Sequence, residues 1–161
     1  MNIDTSLHSV NYSPRNGASI SMLVIHSTEG TRKSDIPILL GQTPRKVSVH
    51  YYVQRDGVIY QFLPDTVSAW HAGASNWLGH GSIWIQEHSL GIEMESLNTG
   101  SVYKQRQPDI QYNAVVELSR MLVRKYAIQQ AYFVRHKDIA PSRKSDPSFF
   151  PWLEFRDDVY R

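Results

Sequence analysis

Cysteine is absent from this sequence of 161 residues. Its absence excludes disulfide bonds, a thiolate nucleophile and a metal site built on cysteine. Any bound metal would have to be held by histidine, aspartate or glutamate side chains.

The sequence also lacks long apolar runs and a strong excess of charge. Residues 1–19 contain no run of signal-peptide length, and no later run approaches the roughly 18 apolar residues of a spanning helix. The formal net charge is only +2, and the basic residues are scattered rather than gathered on one face. We therefore expect neither a membrane span nor a nucleic-acid partner, whereas an anionic cell-wall polymer is compatible with this charge.

What is present fits a folded domain with an apolar core. Hydrophobic residues make up 41% of the chain and aromatic residues 11%, as in soluble globular proteins. A chain of this length can bury roughly 68–70% of its unfolded surface in one core. We predict a single domain over residues 1–161, in which the polar, turn-rich residues 1–19 form an irregular lead-in.

Short apolar runs alternate with helical patterns along the chain, without any repeat. This order predicts an α/β layered domain with a mixed sheet. The Asp56-Gly57 pair is a hairpin signal between two such runs. Strands are predicted over 21–26, 49–54, 58–62, 89–95 and 132–134, helices over 35–40, 108–126 and from 151, and a long loop over 70–81.

Residues 134–147, VRHKDIAPSRKSDP, bring a histidine, a lysine and an aspartate into one proline-bounded segment. His136 and Asp146 from this segment, with His26 at the end of another predicted strand, are a suitable set for catalytic zinc. Such zinc is typically held by three protein ligands and keeps one position for water, and it lowers the pKa of that water to about 7. Glu93 and Lys144 are suitable in type as the base and as the cation that stabilises an oxyanion.

The residues alone leave a plainer interpretation open. A histidine at a strand end is more often hydrogen-bonded structure than a ligand, and Asp146 before a proline is a common turn pair. Glu93 and Glu95 share one face of a predicted strand, and that face could equally be solvated. No HExxH motif is present.

Five segments, in order along the chain, carry a resemblance to a known family. The chain resembles the zinc-dependent N-acetylmuramoyl-L-alanine amidases of the amidase-2 group, which also includes phage amidase-type lysozymes and peptidoglycan recognition proteins. The matching segments are LVIHST around His26, VSVHYYVQRDGVIYQF from Val47 to Phe62, AWHAG from Ala69 to Gly73, SLGIEME around Glu93, and RHKDIAPSRKSDP from Arg135.

The resemblance implies a central mixed sheet flanked by helices, with Zn²⁺ in a surface groove. It implies hydrolysis of the amide between the lactyl group of N-acetylmuramic acid and L-alanine, in peptidoglycan or its muropeptide fragments. Carried over by position, His26, His136 and Asp146 are the zinc ligands. Glu93 is the catalytic carboxylate, and Lys144 stabilises the transition state.

Three details place the chain within the group. Its third ligand is Asp146, as in bacterial amidases related to the recycling enzyme, rather than the cysteine of some members. Phage-type members carry a catalytic tyrosine where this chain has Val49, so that role should fall to Glu93. Non-catalytic recognition proteins lose a zinc ligand, and none is lost here. We expect an enzyme; a non-catalytic peptidoglycan-binding module is the alternative, and an unrelated zinc hydrolase ranks third.

Predicted substrate contacts have competing interpretations. Trp70 and His71 could line the groove, or their AWHAG turn could pack a loop onto the sheet. Lys46 could meet a stem-peptide carboxylate or be solvated. His50 is predicted to be a packed strand residue or a partner of a ligand.

The residues leave three further questions open. The substrate could be the intact wall or 1,6-anhydro fragments, and the oligomeric state is not indicated. The protein could act in the envelope, from a phage or in cytoplasmic recycling.

Overall fold

The computed structural model describes residues 1–98 and 105–161. Ten strands lie in these ranges: β1 (Ile3–Asp4), β2 (Tyr12–Pro14), β3 (Met22–Ser27), β4 (Tyr51–Val53), β5 (Ile59–Gln61), β6 (Val67–Ala69), β7 (Asn76–Trp77), β8 (His80–Gly81), β9 (Ser89–Met94) and β10 (Phe133–Arg135). The α-helices there are α1 (Arg32–Leu39), α2 (Ser82–His88), α3 (Asp109–Tyr126), α4 (His136–Ile139) and α5 (Trp152–Tyr160).

Six strands form the main sheet, in the order β1-β5-β4-β9-β3-β10. Strands β4, β9, β3 and β10 run parallel to one another, while β4 and β5 form an antiparallel hairpin. The sheet is therefore mixed, as predicted. Because the four parallel strands share a direction, their carboxyl ends meet at one edge, where open α/β sheets usually bind their ligands.

The central strand β3 is buried on both faces, which explains its continuous apolar run. Leu23 and Ile25 pack into the core with α3 and α5. Met22 and Val24 face the opposite side and pack with α2 and α4. Side chains alternate along a strand, so His26 lies on the same face as Met22 and Val24. The structure thus places His26, a predicted metal ligand, on the sheet face that α2 and α4 cover.

The predicted long helix is α3, which begins after Pro108 and ends before Ala127 at a φ of 51°. Val115, Leu118 and Leu122 are fully buried on its inner face. Burying one such side chain contributes roughly 1.5–3 kcal/mol. Together with α5, this helix covers the sheet face opposite the site.

Several elements differ from the sequence prediction. The lead-in is not irregular throughout, because β1 pairs with β5 and β2 pairs with β6. Helix α1 begins at Arg32, after Thr31 rather than Ser34. The predicted loop over 70–81 contains the small β7–β8 hairpin, and α2 follows it directly. These short elements carry weak periodic signals, and pairing or packing with the rest of the chain stabilises them.

Glu95 differs from the prediction in its role. Strand β9 ends one residue earlier, and Glu95 is only 3% exposed. Its carboxylate accepts hydrogen bonds from the backbone N–H groups of Arg32 (2.8 Å) and Arg55 (3.0 Å). Glu95 therefore ties the start of α1 to the hairpin turn, and the interpretation of a solvated carboxylate face is wrong for this residue.

Within 1–98 and 105–161, no helix combines the length and the apolarity that crossing a membrane requires.

Candidate metal centre

The carboxyl edge of the parallel strands brings the predicted site residues together. His26 is the penultimate residue of β3, and it lies opposite Glu93 of β9 in the strand register. His136 directly follows β10, the strand on the other side of β3. Residues far apart in sequence thus become neighbours because three adjacent strands end at the same level.

Asp146 reaches the same edge through the segment that follows α4. The backbone N–H of Lys137 donates to the carbonyl of Asp146 at 3.0 Å, which closes this segment back onto the start of α4. The backbone N–H of Ser27 donates to Asp146 Oδ2 at 3.3 Å. The aspartate is thereby fixed against the end of β3, beside His26.

Three of the predicted residues form a compact donor set. His26, His136 and Asp146 each offer one ligand atom, and these atoms lie within 4.8 Å of one another. His26 Nδ1 is 3.7 Å from Asp146 Oδ2, and His136 Nδ1 is 3.2 Å from Asp146 Oδ1. Two imidazoles and one carboxylate, with no fourth ligand grouped with them among residues 1–98 and 105–161, match the donors of a catalytic zinc site.

The outer nitrogen of His136 also fits metal binding. His136 Nε2 is 3.3 Å from the backbone oxygen of Ala72. If Nδ1 binds a metal, Nε2 carries the ring hydrogen and can donate it to this carbonyl, which can only accept. Metal-bound histidines usually donate their outer N–H to such a partner. The contact with Ala72 therefore suits a His136 side chain that binds a metal through Nδ1.

The electrostatic environment of His26 also favours metal binding. Burial, followed by the nearby imidazoles of His136 and His71, holds the pKa of His26 well below its ordinary value. In the metal-free protein this side chain is therefore neutral, which is the form that binds a metal.

Glu93 is half-buried on β9 and lies outside the three-residue donor set. Burial raises the pKa of its carboxyl group well above the ordinary value, and the negative charges of Asp146 and Asp35 act in the same direction. The positive charge of Lys144 opposes this rise. An acid whose pKa moves toward neutrality is suited to accept and return a proton.

One cavity of about 510 Å³ contains the whole group. Its lining includes the donor set, Glu93 and Lys144, together with residues of α1 and of the loops after β3 and β6. Sequence reasoning did not single out Asp35 and Arg45, which also line it. Asp35 lies on α1, and Arg45 lies in the segment after α1. Neither residue belongs to a local sequence motif that would mark it as part of a site.

Of the three predicted substrate contacts, two line the cavity and one does not. Trp70 and His71 both line the cavity, although His71 is only 7% exposed. The indole Nε1 of Trp70 donates to Ser13 Oγ at 2.7 Å. Lys46 is exposed, and the lining includes its neighbours Arg45 and Val47 but not Lys46 itself. A substrate role for these three residues stays a prediction.

His50 is a packed residue, which is one of the two interpretations of the sequence. Its side chain is fully buried. The backbone N–H of Gly91 donates to His50 Nδ1 at 3.1 Å, and His50 Nε2 is 3.0 Å from the carbonyl of Val67. Burial lowers the pKa of His50 to about 4. The ring therefore stays neutral at the pH at which an unfolded histidine gains a proton.

We expect His50→Asn to flatten the pH dependence of folding stability between about pH 6.5 and about pH 4. In this window the unfolded chain binds a proton at His50 and the folded chain does not, so the free energy of unfolding falls as pH falls. A pKa of about 4 instead of 6.5 corresponds to about 3 kcal/mol over this window. Urea unfolding of the metal-free protein at several pH values measures the slope.

Exposed His8 provides the matched control for this experiment. His8→Asn also removes one imidazole, but we expect it to keep the wild-type slope. A wild-type slope in His50→Asn would show that His50 contributes nothing to the acid sensitivity.

Comparison with a family model and with curated proteins gives matches over most of the chain. The model of the Amidase_2 family, described as N-acetylmuramoyl-L-alanine amidase, matches residues 16–149. The chain is 35% identical over 147 residues to N-acetylmuramoyl-L-alanine amidase AmiD of Escherichia coli, covering 84% of this chain and 51% of that protein. It is 37% identical over 112 residues to 1,6-anhydro-N-acetylmuramyl-L-alanine amidase AmpD of Salmonella typhimurium, covering 69% of this chain and 56% of that protein. The chain thus spans about half the length of these curated relatives.

Solved structures show the same architecture. A crystal structure of a selenomethionine derivative of AmpD superposes with a TM-score of 0.84 at 28% identity, covering 99% of both chains. AmiD of E. coli, solved with the substrate anhydro-N-acetylmuramic acid-L-Ala-D-γ-Glu-L-Lys, superposes with a TM-score of 0.77 at 32% identity, covering 96% of this chain and 62% of AmiD. The predicted fold class and the resemblance to the amidase-2 group are confirmed, and the chain belongs to the N-acetylmuramoyl-L-alanine amidase family.

Proposed function

We propose that this chain is a zinc-dependent amidase that cleaves the bond between N-acetylmuramic acid and L-alanine in peptidoglycan or muropeptides. The observation that carries the proposal is the meeting of His26, His136 and Asp146 with Glu93 and Lys144 in one cavity. The names of relatives support it, because AmiD and AmpD are both named as muramyl-L-alanine amidases.

The donor set would hold the metal through two imidazole nitrogens and one carboxylate. When bound at such a site, zinc lowers the pKa of water and polarises a carbonyl oxygen. The protein's own contribution is to keep His26 neutral and to present the Nδ1 atoms of both histidines toward Asp146. The carboxylate also supplies the only negative charge among the three ligands.

Glu93 is proposed as the group that moves the proton. Its carboxylate accepts a proton from the attacking water as the new carbon–oxygen bond forms. The same group then returns a proton to the leaving nitrogen as the carbon–nitrogen bond breaks, which releases the stem peptide with a free amino group. The raised pKa of Glu93 suits both steps, because the group must hold the proton between them.

Lys144 is proposed to stabilise the negative charge that develops on the carbonyl oxygen. Its side chain lines the cavity beside the donor set, and its charge acts on both His26 and Glu93. A cation fixed near the developing oxyanion lowers the barrier without having to reorient during the reaction. Its half-buried position strengthens this effect, since water screens the charge less there.

The purified chain should release free stem peptide from an anhydromuramyl tripeptide, as followed by mass spectrometry. We expect activity to disappear after treatment with a chelator and to return when zinc is added. Intact sacculi assayed in parallel show which form of the substrate is preferred. Tight binding of the muropeptide without product would instead indicate a recognition module, and zinc binding without any muropeptide cleavage would indicate a different hydrolase.

A further inference from the structure

His71 lies behind the metal centre rather than in front of it. Its Nδ1 is 2.9 Å from Nε2 of His26, on the side of that ring opposite the donor set. Its Nε2 is 2.9 Å from the hydroxyl of Ser89. The rings of His26 and His71 meet edge to face, with centroids 5.0 Å apart and planes at 89°. The buried histidine therefore links a candidate ligand to the adjacent strand.

The hydrogen bonds have a definite direction if His26 binds a metal through Nδ1. His26 Nε2 then carries the hydrogen and donates it to Nδ1 of His71. The Nε2 of His71 in turn carries its hydrogen and donates to Ser89 Oγ. This order fixes one tautomer of each ring and leaves the lone pair of His26 Nδ1 pointing at Asp146.

Strand β9 provides the space that this arrangement needs. Leu90, Ile92 and Met94 pack into the core on the opposite face of the sheet, so Gly91 lies on the site face. A Cβ atom at Gly91 would lie 2.7 Å from Cγ and 3.0 Å from Nδ1 of His71. The distance to Cγ is shorter than real Cβ contacts, so glycine at this position leaves the space that the His71 ring occupies.

Ala72, which follows His71 in the same turn, contacts the second candidate histidine ligand, His136. The carbonyl of Ala72 is 3.3 Å from His136 Nε2 and accepts a hydrogen bond from Arg143 Nη2 at 2.9 Å. Arg143 also donates to the carbonyl of Ala74 at 3.0 Å, which holds the turn in place. One short turn thus contacts the outer nitrogens of both candidate histidine ligands.

We propose that His71 is a positioning residue that orients His26 as a metal ligand and fixes its tautomer, with Ser89 holding His71 in turn. This inference rests on the proposed metal centre and assigns His71 a role different from contact with substrate. Partners of this kind typically contribute 10–100-fold to metal affinity, because they orient the ring and increase its basicity.

Zinc affinity, measured by competition with a chromophoric chelator, tests the role of His71. We expect His71→Ala to weaken zinc binding about 10–100-fold. His71→Asn places an amide oxygen near the position of Nδ1, so it should restore most of the loss. Ser89→Ala keeps both histidines and should produce a smaller decrease of the same sign. The absorption spectrum of the cobalt-substituted protein should change in His71→Ala and return toward wild type in His71→Asn.

His50→Asn is the matched control, because it also removes a buried histidine but one that makes no hydrogen bond to a candidate ligand. It should leave zinc affinity unchanged. Wild-type zinc affinity in both His71→Ala and Ser89→Ala would overturn the inference, as would an equal loss in His50→Asn. A rise in KM with unchanged zinc affinity would assign His71 to substrate instead. Failure of the wild-type chain to bind zinc would contradict the proposed function itself, whatever the His71 variants do.

Discussion

Replacement of Glu93 by glutamine is expected to lower the rate of muropeptide hydrolysis about 10²–10⁴-fold, the range that a positioned acid–base group contributes. Glutamine has nearly the same shape as glutamate but cannot accept the proton of the attacking water. Zinc content should stay at the wild-type level, because Glu93 lies outside the donor set of His26, His136 and Asp146. Metal analysis and steady-state kinetics on the same preparation check both parts.

Glu117 on the exposed surface of α3 provides the control for the same chemical change. Glu117→Gln should retain wild-type kinetics. Wild-type turnover in Glu93→Gln would remove Glu93 from the proton transfer, whereas loss of zinc in that variant would show that the carboxylate helps to hold the metal. Only a fall in kcat with zinc retained agrees with the role proposed here.

Much of the main sheet could be predicted from the sequence. Strand β3 is a continuous apolar run because both of its faces are buried, and β9 alternates because only one of its faces meets the core formed with α3 and α5. The hairpin carries an Asp-Gly pair, and Gly57 adopts a φ of 85° that favours glycine. In each case the local pattern and the tertiary environment agree.

The short elements could not be predicted in the same way. Strand β1 has two residues and β2 ends in a proline, so neither shows a periodic pattern. They are strands because β5 and β6 offer free edges beside them. The seven residues of α2 bury Ile85 against the sheet, and that contact depends on the position of β3 rather than on local propensity.

The residues of the donor set were recognisable, but their convergence was not. A strand-end histidine such as His26 becomes a neighbour of His136 only because β3 and β10 are adjacent and parallel. No local feature of the sequence reports that adjacency, so the residues alone left the structural interpretation open. The resemblance to the family supplied the missing pairing, and the strand register gives its physical reason.

His71 illustrates the same limit more sharply. The AWHAG segment predicted either a groove wall or a packed turn, and the structure gives His71 features of both. The role proposed for His71 depends on which ring nitrogen faces His26, and that orientation follows from contacts with Ser89 and Gly91 on a strand 18–20 residues later in the sequence. A side chain's outer partners are properties of the assembled fold, and sequence spacing does not encode them.

Replacement of Asp146 by asparagine is expected to weaken zinc binding by more than the roughly 10–100-fold typical of an outer partner. The change keeps the side chain's shape and its oxygen for the N–H of Ser27, but it removes the only negative charge of the donor set. Two neutral imidazoles then remain as ligands, and hydrolysis at limiting zinc should be lost with the metal. Zinc content after dialysis and calorimetric titration of the metal-free protein measure the change directly.

Thermal unfolding provides an independent measurement of the same loss. A ligand that binds only the folded state stabilises it by about 2.7 kcal/mol when its free concentration is 100 times its Kd. Added zinc should therefore raise the Tm of the wild-type protein, while Asp146→Asn should show little rise at the same concentration. Asp157→Asn, an equivalent change on the exposed side of α5, should respond as the wild type does. An undiminished rise in Asp146→Asn would exclude Asp146 as a ligand and would require another carboxylate of the cavity, such as Glu93, to complete the site.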